Sequence, residues 1–443
     1  MTSMDSSVAM LLLNDKVHIL QALPNKRSSL HLDIFNFIKL HNIGIKFQYC
    51  AVFFVCLYMI LRTAQKELLN LSRQYKSIAV VGPRQSGKTT LVKLVFPDKP
   101  YVNLENPDMR NFALEDPKAF LGQFPNGAIL DEAQRAPDLF SYLQQVLDEK
   151  EDTAQYILTG SNNFLLQQNI TQSLAGRVGY LNLLPFSLSE IKEIAPKTIQ
   201  GKLFKGFYPP LYDKPFETRK WFLNYIRTYI ERDVRQLRGI DNLIIFERFV
   251  RLCAGRVGQL LNKNALAVEV GVDGKTIESW IGVLEASFIL FRLQPHHNNF
   301  NKRIVKMPKL YFYDVGLASA LLGVQNENQL NTHPFKGNLF ENMVVVELLK
   351  QRFNKGKSNN LYFWRNSRGN EIDIIIDNFD ELIPIEIKSG KTITNDYFKG
   401  LNYWNNLTGF IGGKVIYGGE EYQKRSHDFE VIPLNLMHDK IDN

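Results

Sequence analysis

Short apolar runs alternate with amphipathic stretches along most of the chain. Ile78-Ala79-Val80-Val81 is apolar throughout, as a strand covered on both faces should be. Thr89 to Val95 then has the apolar spacing of a helix start. Arg62 to Tyr75 reads as an amphipathic helix feeding that first strand. Ala128-Ile129-Leu130 predicts a second strand, expected beside the first and ending in Asp131 and Glu132. Tyr156 to Thr159 and Tyr180 to Leu184 predict two more. Strands alternating with helices predict an α/β fold with a parallel sheet.

The pattern changes further on. Arg219 to Leu237 is helical in period and rich in arginine and aromatic residues. Asn264 to Val270 and Lys275 to Ala286 predict two helices around a Gly271-to-Gly274 turn, with Ile277, Trp280, Ile281 and Leu284 on one face of the second. Phe288 to Phe291 reads as a strand. This is a helix-turn-helix followed by a wing-like strand. If the second helix enters a DNA groove, Lys275, Thr276, Glu278 and Ser279 face the bases or phosphates. Glu278 and Glu285 count against that reading, and a module that only packs stays open.

Residues 337 to 350 predict a helix carrying Glu341 and Glu347. Leu361 to Arg365, Asn370 to Ile376 and Leu382 to Lys388 predict strands. An acid on one strand, Asp373, followed by Glu386-x-Lys388 on the next resembles the PD-(D/E)-x-K nuclease core. Alternation puts Glu386 and Lys388 on one face. Such a site implies magnesium on Asp373 and Glu386, with Lys388 activating water and Glu341 as a further acid. An inactivated nuclease-like fold is the other reading.

The chemistry is most legible at Gly82 to Thr90, GPRQSGKTT. Gly82, Gly87, Lys88 and Thr89 match the phosphate-binding loop pattern, between a strand and a helix as that pattern requires. Pro83, Gln85, Ser86 and Thr90 join them around the phosphates, the last three through backbone N–H groups, and the helix start adds its partial charge. Lys88 is expected on the β and γ phosphates of ATP, and the Thr89 hydroxyl on magnesium. Gly274-Lys275-Thr276 and Gly390-Lys391-Thr392 also spell GKT, but Glu269 and Ile385 stand where the upstream glycine belongs.

After such a loop, Asp131 reads as the second magnesium ligand and Glu132 as the general base. Ser161 or Asn162, just past the third strand, is expected on the γ-phosphate or the attacking water. Arg177 is a candidate arginine finger, with a surface arginine as the alternative. GPRQSGKTT, ILDEAQ, LTGSN and SLAGR in this order resemble a family of prokaryotic AAA-superfamily ATPases with a C-terminal domain of unknown function. The similarity continues through Gly206-Phe207-Tyr208-Pro209 and Tyr229-Ile230-Glu231-Arg232-Asp233, and covers roughly residues 62 to 401. Phe207 departs from the family, which often has a second glycine there. The resemblance implies an ATPase, and an oligomer if Arg177 acts in trans.

The expected organisation is therefore a leader (1–61), an AAA-type P-loop domain (62–200), a helical and winged-helix-like segment (201–300) and a restriction-endonuclease-like domain (301–443). Tyr49 to Leu61 is an apolar run of thirteen, short of the roughly eighteen a spanning helix needs. An anchor, a buried element and an upstream translation artefact with a start near Met59 remain open, the last being favoured. Three cysteines are too few and scattered for a disulfide framework or zinc site, which fits a cytoplasmic protein. A net charge of +8 favours a polyanionic partner such as DNA. The leading expectation is a Mg-dependent ATPase driving a DNA-handling or regulatory C-terminal half. The rival is a slow nucleotide switch that binds a protein partner and cuts nothing.

Overall fold

Strand β1 (Ser77–Val81) is buried along its whole length and pairs in parallel with β4 (Tyr156–Gly160) on one side and β5 (Val178–Asn182) on the other. Beyond β4 lie β3 (Ala128–Asp131) and then β2 (Tyr101–Asn103), giving the order β2-β3-β4-β1-β5. This corrects the expected adjacency of the two site-bearing strands: β4 separates β3 from β1. Hydrophobic pattern identifies strands but not their neighbours. Tyr156, Ile157, Leu158 and Thr159 are fully buried, so β4 takes an interior position with both faces covered. Helices α1 (Gln65–Ser72), α2 (Lys88–Val95) and α3 (Leu139–Glu149) accompany the sheet. Leu68, Ile78, Val80, Leu91, Ile129 and Leu181 form one core on its face.

The computed structural model describes residues 60–161, 166, 170, 172–229, 242–296 and 305–441. The leader readings, the candidate Asn162 and the motif residues Glu231, Arg232 and Asp233 lie outside the described residues. Among these, residues 61–441 belong to one compact unit. No described helix is long and apolar enough to cross a membrane.

Helix α4 (Thr218–Tyr229) packs Trp221, Phe222 and Tyr225 against the ring of Tyr208. Helices α5 (Leu243–Ala254), α6 (Lys263–Val270) and α7 (Gly274–Ala286) follow, then an antiparallel pair, β6 (Leu290–Leu293) and β7 (Lys309–Phe312). Gly271, at φ 84°, ends α6 in the left-handed conformation. Asp273 caps α7 by accepting from the Lys275 and Thr276 N–H groups at 2.8 Å, so this GKT is a helix start. Strand β6 begins at Leu290 rather than Phe288, whose positive φ of 56° places it in the turn.

Helix α8 (Val315–Leu321) leads to the long α9 (Lys336–Asn354). Strands β8 (Leu361–Arg365), β9 (Glu371–Asp377) and β10 (Leu382–Lys388) form an antiparallel meander. After α10 (Lys399–Thr408), β11 (Gly413–Tyr417) returns parallel to β10, and β13 (Phe429–Pro433) and β12 (Gln423–Arg425) complete the sheet. Trp364, Ile372, Ile375, Trp404 and Val415 form its core. Helix α9 is buried almost all round from Leu339 to Arg352, because it packs against both β5 of the first sheet and β10 of the second.

Candidate nucleotide site and acidic cluster

The chain leaves β1 through Gly82, whose φ of 155° and position against the Leu183 carbonyl leave no room for a side chain: a Cβ would sit 2.1 Å from that oxygen. Gly87 caps α2 in the left-handed conformation, at φ 92°, and Gln85 has φ 61°. The loop therefore curls back over the start of α2, where free N–H groups and the helix dipole favour an anion. Pro83 and Ser86 are buried, while Gln85 and Thr90 are exposed. Lys88 is buried, and its Nζ donates to the Gly82 and Pro83 carbonyls at 3.0 and 2.8 Å. The Ser86 hydroxyl is buried without a hydrogen-bond partner, and a phosphate oxygen is a group that would satisfy it.

Asp131, at the end of β3, gathers three hydroxyls. Thr89 Oγ1 donates to its Oδ2 at 3.0 Å, the Tyr101 hydroxyl to the same oxygen at 2.6 Å, and Thr159 Oγ1 to its Oδ1. Burial, then Asp131 itself, holds the Tyr101 phenol well above its usual range. Glu132 follows in the left-handed conformation. Its Oε2 accepts from Ser161 Oγ at 3.0 Å and from the Gln134 amide. Ser161 thus faces the candidate base carboxylate. The hard oxygens of Thr89 and Asp131, side by side at the mouth of the loop, fit a magnesium ion.

The C-terminal candidates also converge, but among cations. Glu341 Oε1 accepts from Lys309 Nζ at 2.9 Å and from the Tyr311 hydroxyl at 2.5 Å. Lys309 also pairs with Glu371, which Arg365 engages at 2.8 Å. Asp373 Oδ2 accepts from the Ile387 N–H at 2.8 Å and lies 3.6 Å from Lys388 Nζ. Glu386 pairs with Lys388 at 2.5 Å. Burial, and then Asp373, pushes the Glu386 carboxyl up to about 8. Burial works to lower Lys388, but Asp373 and Glu386 outweigh it and hold the amine above its usual range. Among the described residues, no group of three or more His, Cys, Asp or Glu is arranged to hold a metal ion. These residues do not fit the magnesium expected from the strand motif, because Lys309 and Lys388 take up the carboxylates.

Residues 74–192 match the AAA domain family. The chain thus carries a P-loop ATPase domain of AAA type on a parallel sheet. Residues 196–328 and 336–437 match two domains of unknown function, DUF8612 and DUF4143. An uncharacterised protein of Mycobacterium tuberculosis is 29% identical over 341 residues, 76% of each chain. One of Methanocaldococcus jannaschii is 22% identical over 332 residues, 67% of this chain and 71% of its own. A Walker-type ATPase of Pyrococcus abyssi superposes with a TM-score of 0.41 at 15% identity, covering 58% of this chain and 94% of that one.

Within the AAA domain, Arg177 stands apart from the loop. Its carbonyl accepts from the N–H of Ser77, the first residue of β1, and the loop lies past the last, roughly 13 Å further along the strand. The guanidinium forks onto Asp148 at 2.6 and 2.9 Å. It therefore cannot reach the loop of its own chain.

Sequence reasoning missed Tyr101, Thr159 and Gln134 here, and Lys309, Tyr311 and Glu371 in the DUF4143 region and the strand before it. Thr159 was recoverable once β3 and β4 were known to be neighbours, since the register sets it opposite Asp131. Gln134 ends the ILDEAQ motif two residues past Glu132, which it touches, and could have been read from there. The others lie far in sequence from the groups they touch, and no motif marks them.

Proposed function

We propose that the chain is a Mg-dependent ATPase whose AAA domain controls a non-cleaving, regulatory C-terminal half. The observation that carries the ATPase reading is the meeting of Lys88, Thr89 and Asp131 at the loop, with Thr89 Oγ1 3.0 Å from the aspartate. Lys88 turns from the Gly82 and Pro83 carbonyls to the β and γ phosphates, and the N–H groups of residues 84 to 90 hold the phosphate oxygens. Thr89 and Asp131 hold magnesium, which when bound neutralises part of the triphosphate charge. Glu132 takes the proton of the attacking water, held in place by Ser161 and Gln134. Arg177 serves a neighbouring copy, after releasing Asp148.

The succession α5-α6-α7-β6-β7 supports the winged-helix-like reading. Its DNA face is weak, however, because Glu278 is tied to Lys263 and Arg292 at 2.8 and 2.7 Å. The order α9-β8-β9-β10-α10-β11 supports a restriction-endonuclease-like fold. Its lysine-paired carboxylates favour binding or regulation over cleavage, so incubation with plasmid and magnesium should produce no nicking.

Calorimetry with Mg-ATP tests the central reading, and correctly folded protein that gives no heat of association overturns it. Glu132→Gln is expected to keep ATP bound and to lower turnover by about 10²- to 10⁴-fold. Turnover at the wild-type rate rejects Glu132 as the base. Stimulation of turnover by DNA would favour the DNA-handling form of the proposal over the switch that binds a protein.

A further inference from the structure

Arg62 lies outside the loop motif, yet it is built into the loop's back. It is 8% exposed. Its Nη1 donates to the Ser86 carbonyl at 2.7 Å, its Nη2 to the Leu184 carbonyl at 2.6 Å, and its Nε to Glu190 Oε1 at 3.1 Å. The guanidinium stacks over the Phe186 ring, 5.0 Å from its centroid. Glu190 is held in turn by the N–H groups of Thr63 and Ser187, at 2.7 and 2.8 Å. The 186–188 segment is fastened to α9: Lys350 Nζ donates to the Phe186 carbonyl at 2.7 Å, and the Leu188 N–H to Glu347 at 2.8 Å.

The Ser86 carbonyl and the Gly87 N–H belong to one planar peptide, so they point in opposite directions. Drawing the carbonyl toward Arg62 turns the Gly87 N–H away from it. We propose that Arg62 is a positioning residue of the nucleotide site: by fixing the Ser86–Gly87 peptide it aims the Gly87 N–H at the phosphates. The inference rests on the loop being the Mg-ATP site. The bond holds substrate and transition state alike, so its loss raises KM more than it lowers kcat.

The test pairs Arg62→Met with Glu190→Gln, so that no buried charge is left alone, and adds Arg62→Lys as an independent variant. Arg62→Lys keeps a cation opposite Glu190 but loses the planar fork. Calorimetry with Mg-ATP should show the double variant binding about tenfold more weakly or worse, with Arg62→Lys between it and the wild type. KM should rise by a similar factor while kcat stays nearly constant, and the nucleotide-free variants should keep a cooperative melting transition. Wild-type affinity in both variants, or a fall in kcat at unchanged KM, overturns the assignment of Arg62. Absence of binding by the wild-type chain would instead overturn the nucleotide reading beneath it.

Discussion

At Gly82 the backbone and its surroundings allow no side chain. Its φ of 155° and the Leu183 carbonyl 2.1 Å from any Cβ act together. Gly82→Ala is therefore expected to cost roughly 1–3 kcal/mol from the backbone conformation alone, plus the displacement of β5's exit from the loop. Chemical denaturation should show that loss, and calorimetry a matching loss of Mg-ATP binding. Full stability in the variant would mean that the loop can adopt another path. Lys88 and Thr89 were readable from sequence because their spacing within a strand-loop-helix is itself the signal, and Asp131 because it ends the apolar run that follows such a loop. Arg62 was not, since its partners Ser86 and Leu184 are 24 and 122 residues away. An arginine before a helix looks like any other until the chain is folded around it.

Among the elements, the apolar runs that became β1, β3 and β4 were recognisable, but their order was not. Periodicity is a local property, whereas strand order depends on which strand can be covered on both faces. With β4 inserted, Thr159 reaches Asp131 from the middle strand, a contact the expected adjacency would have excluded. Strands β9 and β10 carry a pH-dependent term of their own. Glu386 binds its proton more tightly in the folded chain than its ordinary value of 4.5 would allow, at about 8. Its contribution is whole below 4.5 and is lost as the pH rises through about 8. Glu386→Gln should therefore flatten this limb of the stability profile, as read by urea midpoints taken at about pH 5 and about pH 9. Parallel profiles for the variant and the wild type would show that Lys388 keeps Glu386 ionised throughout.

For the whole molecule, the net charge of +8 pointed toward polyanions, but the surface of α7 does not concentrate it, because Lys263 and Arg292 are spent on Glu278. Arg177 faces away from its own loop, so an assembly of copies is the arrangement in which it can act. Arg177→Ala and Lys88→Ala proteins, each inactive alone, are then expected to regain part of their ATP turnover when mixed, since one supplies an intact loop and the other an intact arginine. No recovery on mixing would return Arg177 to a tie between β5 and α3. Domain matches at 74–192 and 336–437 suggest two separable pieces. Helix α9 contradicts that impression, since Glu347 and Lys350 reach back to Leu188 and Phe186. A fragment cut just before Lys336 would leave the ATPase half with a bare flank and two main-chain groups suddenly unmatched, so the natural unit for expression or for swapping between relatives runs across that junction.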